Sequence, residues 1–196
     1  PCNAYPLITV ASQTELKNIA PAPSPTNLEA SIEVIDDSLD ELQQRIDALL
    51  EDGGVALIIC NTIARAQETY RAFKLSHPDE VELHHAGFMA WERSEKEDLL
   101  RKELGPDAHR GEGRPYRKIV VATQVAEQSL DIDADVLVTD IAPMDLIIQR
   151  IGRLHRHERP DADRPSRVRE PKVIVRGIET LVPHPVLDSG AEAIYG

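Results

Sequence analysis

The chain has 196 residues, 41% of them hydrophobic and 29% charged, which is the composition of one globular domain with flanking segments. The net charge of −12 argues against broad coating of nucleic acid, because phosphate binding depends on clustered lysine and arginine. No apolar run is long enough to span a bilayer, and the N-terminus lacks the basic-then-apolar order of a signal peptide. We therefore expect a cytoplasmic protein without a membrane partner.

Charge is unevenly distributed along the chain. Residues 29–52 contain nine acidic residues and one basic residue, whereas residues 150–176 contain nine basic and four acidic residues. Aromatic residues make up only 4% of the chain, which argues against a base-stacking surface, so any nucleic-acid contact is expected to be with the backbone. The two cysteines cannot form a metal set, and Cys60 is expected to be a buried, reduced thiol.

The first half of the chain alternates strand and helix patterns. Residues 1–30 are rich in proline, and "APAPSPTN" is typical of an extended connector rather than a helix or strand, so we interpret this segment as an interdomain linker. "SIEVI" predicts a strand, and "DSLDELQQRIDALLEDGG" predicts a helix capped by Asp37 or Ser38. "VALIIC" predicts a strand covered on both faces, followed by a helix in "NTIARAQETYRAFKL". "VELHHA" and "AWERSEKEDLLRKEL" predict a third strand and helix.

The second half continues the alternation after a loop, "GPDAHRGEGRPY". "KIVVAT" and "DVLVTDIA" predict buried strands, "PMDLIIQRIGRLH" predicts a helix, and "KVIVRG" predicts a last strand. This pattern is typical of an α/β fold with a parallel β-sheet. The domain is expected to span residues 31–178, with residues 179–196 forming the truncated start of a following segment. Ligands of such sheets bind beyond the carboxyl ends of the strands, which selects residues 61–65, 84–87 and 123–133 and the loop before the last helix.

Several common site motifs are absent from the sequence. It contains no G-x-x-x-x-G-K-[ST] phosphate loop, so the chain is not expected to bind ATP well alone. It also lacks a dinucleotide fingerprint, a nucleophile elbow and a zinc-binding helix. His84 and His85 are adjacent on a strand and point to opposite faces, so they cannot chelate together, and His155 and His157 suggest a metal pair only by their spacing. We therefore expect no metal site.

Three stretches in order resemble motifs IV, V and VI of the second motor domain of superfamily 2 helicases. They are "IICNTIARAQ", "VVATQVAEQSLDID" and "QRIGRLHR". Their detailed wording, together with "YPLITV" near the N-terminus, resembles the helicase-nuclease of type I CRISPR interference over roughly residues 5–176. The resemblance implies a RecA-like fold of three layers, with helices on both faces of the sheet.

The resemblance also implies partners and cofactors outside this chain. ATP and Mg²⁺ would be held mainly by a first RecA-like motor domain of the same protein, and an HD-type nuclease domain would lie earlier still. No His-Asp dipeptide occurs in this chain, so the nuclease half is not expected here. Single-stranded DNA and the CRISPR RNA-guided surveillance complex would be the further partners.

Arg153 and Arg156 are candidates for arginine fingers. Phosphoryl transfer depends on positioning and charge stabilisation, and an arginine from another domain can raise its rate by about 10³–10⁵. The i, i+3 spacing places both side chains on one face of a helix or its frayed end, and Gly152 would let the backbone approach a partner surface. Gln149 could orient the nucleotide or the attacking water, completing the candidate catalytic set. The alternative is a solvated or salt-bridged arginine face.

Other residues of these motifs are assigned to nucleotide binding by the same resemblance. Asp131 would face the nucleotide ribose or an arginine of the last motif, whereas Asp133 would support the loop. Arg150 is grouped with the nucleotide-binding residues together with Gly152, although it lies off the finger face and an ion pair within or between domains is the alternative. At His155 many relatives have glycine, and this side chain could tune how Arg156 reaches across the cleft.

A further group of residues is assigned to single-stranded DNA. Thr123 would hold a strand phosphate, unless it only ends its strand and caps the short helix after it. For Asn61 and Thr62, which follow a buried strand and open a helix, phosphate binding and plain capping remain equal alternatives. Trp91 and Phe88 are interpreted as possible packing residues. The remaining DNA-contact candidates are Gln128 and Ser129, in the Thr123 loop, and His85 and Arg93, in "HAGFMAWER".

Two functions of different classes remain. The first is the second motor domain of an ATP-dependent single-stranded DNA translocase or helicase in CRISPR interference, inactive when isolated. The second is an ATP-independent α/β binding module whose basic helix recruits nucleic acid or an acidic protein. The second predicts salt-sensitive ligand binding by these 196 residues alone.

Overall fold

The computed structural model describes residues 7–21, 28–128, 130–180 and 186–187. The strands are β1 (Ile8–Ala11), β2 (Leu16–Ile19), β3 (Ser31–Ile35), β4 (Gly54–Ile59), β5 (Val81–His84), β6 (His109–Arg110), β7 (Gly113–Arg114), β8 (Arg117–Ala122), β9 (Val136–Asp140), β10 (Lys172–Arg176), β11 (Ile178–Thr180) and β12 (Val186–Leu187). The helices are α1 (Leu39–Leu49), α2 (Ile63–Ser76), α3 (Ala90–Leu104), α4 (Val125–Gln128) and α5 (Met144–Ile151), with short 3-10 turns at Asp161–Asp163 and Ser166–Val168.

A six-stranded sheet in the order β3-β10-β9-β4-β8-β5 organises the domain, and every neighbouring pair in it is parallel. The central strand β4 is buried along its whole length, as its continuous apolar sequence predicts for a strand covered on both faces. The parallel α/β fold predicted from the sequence is confirmed. The carboxyl ends of β4, β8 and β9 meet at one edge, where the loops carrying the three motifs begin.

Two hydrophobic clusters lie on opposite faces of this sheet. Along β4, Ala56 and Ile58 pack with residues of α1 and α2, whereas Val55, Leu57 and Ile59 pack with residues of α3 and α4. The alternation follows from the two-residue period of a strand. The clusters give the three-layer arrangement of helix, sheet and helix that the resemblance implied.

The first two helices begin at residues whose hydroxyl groups cap them. Ser38 accepts a hydrogen bond from the backbone N–H of Glu41 at 3.2 Å, and Thr62 accepts one from Arg65 N–H at 3.2 Å. Of the two residues predicted to cap α1, Ser38 is therefore the one that does so. Both caps fix the direction in which the chain leaves the carboxyl end of the preceding strand.

The segment interpreted as a linker contains a β-hairpin that the sequence analysis missed. Strands β1 and β2 pair antiparallel, with Ile8 opposite Ile19, and form a sheet separate from the six-stranded one. The β-branched run Ile8, Thr9 and Val10 favours a strand, but the prolines of the same segment favour an extended connector. Most of "APAPSPTN" lies outside the described residues, as do residues 181–185 and 188–196. The domain boundaries stay predictions.

Two further segments differ from the prediction. The glycine-rich loop before β8 contains the two-residue strands β6 and β7. The last helix was predicted to continue to His155, but α5 ends at Ile151 with Gly152 as its C-cap residue. Beyond this cap His155 has a φ of +46°, which is incompatible with a continuing right-handed helix. The arginine pair therefore lies on the segment that leaves the helix.

Candidate functional site

The segment after α5, which we call the finger segment (residues 152–157), is held against the chain that enters β9. The backbone N–H of Ala134 donates to Arg153 O at 2.9 Å, and His155 N–H donates to Ala134 O at 3.0 Å. The left-handed backbone of His155 turns the chain between these contacts and Arg156. Two backbone hydrogen bonds and one tight turn thus help to hold the backbone from which the Arg153 and Arg156 side chains project.

Arg153 is half-buried and contacts the carboxyl end of α4. Its Nε donates to Ala126 O at 3.2 Å, and its Nη2 donates to Glu127 O at 2.5 Å. Burial lowers the pKa of the Arg153 guanidinium, and the nearby charge of Arg156 lowers it further. The side chain thus links the loop of motif V to that of motif VI.

Arg156 is the more exposed of the two arginines, with 39% of its side chain accessible. Its Nε donates to Asp131 Oδ1 at 2.6 Å, and its Nη1 donates to Gly152 O at 3.2 Å. The hydrogen bond from Arg156 holds the pKa of Asp131 below its usual value. Of the two expectations for Asp131, contact with an arginine of the last motif is the one present in the structure. Contact with a nucleotide ribose stays a prediction.

The outward face of α5 continues this surface. Gln149 and Gly152 are exposed, as expected for residues that contact a group outside the domain. Ile148 and Met144, about one and two turns before Gly152, are 62% and 71% exposed. Gln149 and Arg156 therefore border a partly apolar surface that another domain could cover.

Arg150 lies inside the domain, which corrects its grouping with the nucleotide-binding residues. Its side chain is fully buried and pairs with Glu127 at 2.7 Å. The guanidinium also donates to Thr139 Oγ1 at 2.7 Å and to Asn61 Oδ1 at 3.1 Å. Because full burial leaves no surface for a ligand, Arg150 forms the intradomain ion pair given as the alternative. It joins the ends of β4 and β9 to α4.

Asn61 and Thr62 stand at the carboxyl end of β4. The backbone N–H of Asn61 donates to Asp140 Oδ2 at 2.8 Å, and its side-chain amide donates to Ile141 O at 2.8 Å. Thr62 caps α2, so the contacts present are those of the capping alternative. Binding of a strand phosphate at these residues stays a prediction. The buried Asn61 side chain is already engaged by Ile141 O after β9.

The Thr123 loop is adjacent to Asn61, which brings motifs IV and V together. Thr123 is 4% exposed, and its N–H donates to His84 O at 3.1 Å. Gln124 Nε2 donates to Asn61 O at 2.8 Å across the gap between the two strand ends. Ser129 lies outside the described residues, and so does the side chain of Gln128, the last residue of α4.

His85 and Arg93 flank this edge of the sheet. The His85 ring stacks on Phe88 with 4.3 Å between ring centroids, and its Nδ1 accepts from Gly87 N–H at 3.1 Å. Burial lowers the pKa of His85. Arg93 is 41% exposed and lies 3.6 Å from Glu97. Packing explains Phe88 but not Trp91, whose side chain is 61% exposed, so that interpretation of Trp91 is wrong.

Charged residues at strand ends were missed by the sequence analysis. Asp140, at the end of β9, accepts from Arg65 Nε at 2.8 Å and from Arg176 Nε at 3.1 Å. Arg65 also pairs with Asp37, beside a shallow polar pocket at the N-terminus of α1. A charged residue at the carboxyl end of a mostly apolar strand, as in "VLVTD" and "KVIVR", was the available signal.

The arginines of the basic segment are largely matched by carboxylates of the same domain. The pairs are Arg150 with Glu127, Arg156 with Asp131, Arg159 with Asp133, Arg164 with Asp133 and Asp135, Arg167 with Glu51, and Arg176 with Asp140. The excess positive charge read from the sequence is thus compensated in space.

Within the described ranges, no group of three or more histidine, cysteine, aspartate or glutamate residues is arranged to hold a metal ion. No helix in the same ranges is long and apolar enough to cross a membrane.

Comparison with known sequences finds one group of relatives. A family model described as "CRISPR-associated nuclease/helicase Cas3, C-terminal" matches residues 52–159. The CRISPR-associated nuclease/helicase Cas3 of Streptococcus thermophilus is 43% identical over 157 residues, which cover 80% of this chain and 16% of that protein. The endonuclease/helicase Cas3 of Thermus thermophilus is 34% identical, over 90% of this chain and 23% of that protein. The chain therefore spans less than a quarter of the length of these relatives.

Solved structures give the same grouping. A crystal structure of a CRISPR-associated protein is 37% identical with a TM-score of 0.87, over 100% of this chain and 22% of that one. T. fusca Cas3 with AMPPNP is 29% identical with a TM-score of 0.77, over 92% of this chain and 22% of that one. A chain of a CRISPR RNA-guided surveillance complex before nicking is 26% identical with a TM-score of 0.76, over 92% and 23% of the two chains.

Proposed function

This chain belongs to the family of the Cas3 nuclease/helicase C-terminal region, and from that premise we propose that it is the second motor domain of an ATP-dependent single-stranded DNA translocase or helicase. One observation carries the proposal: the Arg156 side chain is 39% exposed, directly after α5, in a chain without a phosphate loop. A structural relative is named as Cas3 with AMPPNP, and others come with ATP and ADP. ATP and Mg²⁺ would accordingly be held mainly by a first RecA-like domain of the longer parent protein.

The residues of this chain fit one side of a triphosphate. Arg156 would leave Asp131 and donate to the terminal phosphate, since a guanidinium is attracted more strongly by a multiply charged phosphate than by one carboxylate. Arg153 would add positive charge from the same segment, and Gln149 would orient the attacking water. Bound ATP would supply the phosphoryl group that is transferred. A second guanidinium near the developing charge stabilises the transition state more than the ground state.

Asp131 would have two roles in this account. Its carboxylate accepts a hydrogen bond from Arg156 Nε at 2.6 Å. In the closed motor, Asp131 would be released to face the nucleotide ribose, next to Gly152 on the same surface. The exchange costs little because one charge-assisted hydrogen bond replaces another.

A strand of DNA would run over the edge where motifs IV and V meet. Thr123, Gln128 and Ser129 would hold one phosphate, and Thr62 with the backbone near Asn61 would hold the next. His85 and Arg93 would flank the strand. The hydrogen bond from Gln124 to Asn61 O supports this arrangement, because it keeps the two loops in one surface. The surveillance complex and an HD nuclease domain of the parent protein would deliver and cut the DNA.

The alternative of an ATP-independent binding module gains no support from the structure. That function needs a basic helix whose charges are available to a partner. Arg150 is fully buried, and Arg176 is 2% exposed and pairs with Asp140. These two charges of the basic segment are therefore closed to an acidic partner.

Replacing Arg156 by alanine in the parent protein tests the finger role. We expect kcat for DNA-stimulated ATP hydrolysis to fall by about 10³-fold or more, with the KM for ATP within a few-fold, because the lost charge acts mainly in the transition state. Arg45→Ala is a matched control, since Arg45 is 50% exposed and pairs with Glu33 at 2.7 Å on another face. The control should hydrolyse ATP normally. Near-normal kcat for Arg156→Ala would exclude the finger role.

A further inference from the structure

Behind the finger segment lies a group of five charged residues that the proposed nucleotide contacts do not use. We call it the buried arginine–aspartate cluster, and its members are Asp133, Asp135, Arg114, Arg159 and Arg164. Both aspartates are fully buried, and the arginine side chains are at most 7% exposed. The cluster thus sits inside the domain, between the entry to β9 and the chain that follows the finger segment.

A buried cluster of charged residues is an inefficient way to stabilise a fold. Removing charges from water costs free energy that their attraction often fails to recover, and apolar side chains of similar size serve as well or better. Burial by itself would raise the pKa of Asp133, but Arg164, Arg159 and Arg114 hold it below its usual value. Asp133 is therefore an ionised carboxylate in the interior of the domain.

Asp133 holds the backbone of the proposed finger. The N–H of Arg156 donates to Asp133 Oδ1 at 2.8 Å. The same carboxylate accepts hydrogen bonds from Arg159 and from Arg164, the latter at 3.0 Å. Arg164 also donates to His157 O at 3.1 Å, one residue beyond the finger. The backbone on both sides of the Arg156 side chain is thus tied to one buried anion.

Arg159 connects this anion to a fixed part of the fold. Its guanidinium donates to Gly105 O at 2.8 Å and to Ala108 O, at the carboxyl end of α3. Its side chain is fully buried, so it can move only if the cluster is disrupted. Asp133 and Arg159 therefore connect the finger segment to the carboxyl end of α3 through buried hydrogen bonds.

On the basis of the role proposed for Arg156, we propose that Asp133 is a positioning residue for the finger. Its carboxylate sets the point from which the Arg156 side chain projects, and Arg159 and Arg164 hold that carboxylate in place. When the Arg156 side chain exchanges Asp131 for a phosphate, the Arg156 backbone stays in place. A displacement of about 1 Å in a catalytic group can cost about 10²-fold in rate, so a shift of the Arg156 backbone should slow ATP hydrolysis.

Asp135 offers a matched comparison within the same cluster. It is equally buried and pairs with Arg114 at 3.0 Å and with Arg164. Its carboxylate, however, accepts from the N–H of Val55 in β4 at 2.8 Å, away from the finger segment. Loss of either aspartate charge should disturb folding to a similar extent. Of the two carboxylates, only that of Asp133 accepts directly from the Arg156 N–H, so loss of its charge should disturb the Arg156 backbone more.

The test is a double-mutant cycle in the parent protein, with kcat and KM for DNA-stimulated ATP hydrolysis and the Tm of each variant. We expect Asp133→Asn to lower kcat by about 10²-fold with KM changed only a few-fold. Asp135→Asn should lower the Tm comparably and leave kcat within a few-fold. In the Arg156→Ala background, Asp133→Asn should lower kcat no further, because it acts through that side chain.

Three results separate the possible failures. Additive losses of kcat in the cycle, or equal losses for both aspartate variants, would overturn the positioning role even if Arg156→Ala is inactive. A normal kcat for Arg156→Ala would instead remove the finger role on which it rests. If Asp133→Asn does not fold, Arg159→Lys replaces it in the cycle, because lysine keeps the charge but cannot make the forked contacts to Gly105 and Ala108. The same non-additivity is expected for it, and additivity overturns the positioning role.

Discussion

His155 shows how a single residue decides the geometry of the site. It is the one non-glycine residue with a positive φ in the described part of the chain, and its ring nitrogen lies 3.2 Å from Asp135 O. Burial lowers the pKa of His155, which favours the neutral ring in that contact. A glycine at this position would adopt the turn freely. The histidine side chain thus stabilises by packing a backbone conformation that is unfavourable for it.

Substitutions at His155 should separate backbone from side-chain effects. Asparagine tolerates left-handed backbone, whereas a β-branched residue does not, and the left-handed conformation costs roughly 1–2 kcal/mol for most residues. We expect His155→Val to lower the free energy of unfolding of this chain by about 1–2 kcal/mol more than His155→Asn does. Urea denaturation of both variants measures the difference. Equal losses would mean that the backbone angle contributes nothing.

Residue types at the site were easier to predict than their partners. Asp131 was expected to contact an arginine of the last motif and does, because both residues lie on loops at the same edge. Arg150 was grouped with the nucleotide-binding residues, but its position on the inner face of α5 buries it against Glu127. Partners separated by more than 20 residues in sequence depend on the packing of α4 against α5, which no local pattern specifies.

At the scale of elements, the apolar patterns predicted the central sheet well. The predicted "VALIIC" and "KIVVAT" strands correspond to β4 and β8, and the predicted helices correspond to α1, α2 and α3. The end of α5 was misplaced because apolar spacing continues to Leu154, which packs in the core without being helical. The β1–β2 hairpin was missed because its apolar residues are exposed and give no core pattern.

The cap of α2 gives an element-scale prediction. Thr62 accepts from Arg65 N–H, so Thr62→Ala removes one helix cap and should lower the free energy of unfolding by about 1 kcal/mol. Thr62→Ser keeps the hydroxyl and should retain most of the stability. Urea denaturation of the two variants is the measurement. If serine is as destabilising as alanine, the hydroxyl does not cap the helix in solution.

At the scale of the whole molecule, the blocks of opposite charge at residues 29–52 and 150–176 are largely compensated by ion pairs. The acidic block at residues 29–52 supplies Asp37, Glu51 and Asp52, and the entry to β9 supplies Asp131, Asp133 and Asp135, to pair with arginines. The residues exposed on α5 and directly after it include Arg156, Gln149 and the apolar Met144 and Ile148. This is the arrangement expected of one side of a site that another domain completes.

ATP hydrolysis by this chain alone and by the longer parent protein tests that conclusion most directly. Both proteins are incubated with ATP, Mg²⁺ and single-stranded DNA, and phosphate release is followed. The chain alone should release phosphate no faster than a protein-free control, whereas the parent protein should hydrolyse ATP and be stimulated by DNA. Hydrolysis by the 196-residue chain alone at a rate comparable to that of the parent protein would contradict the account.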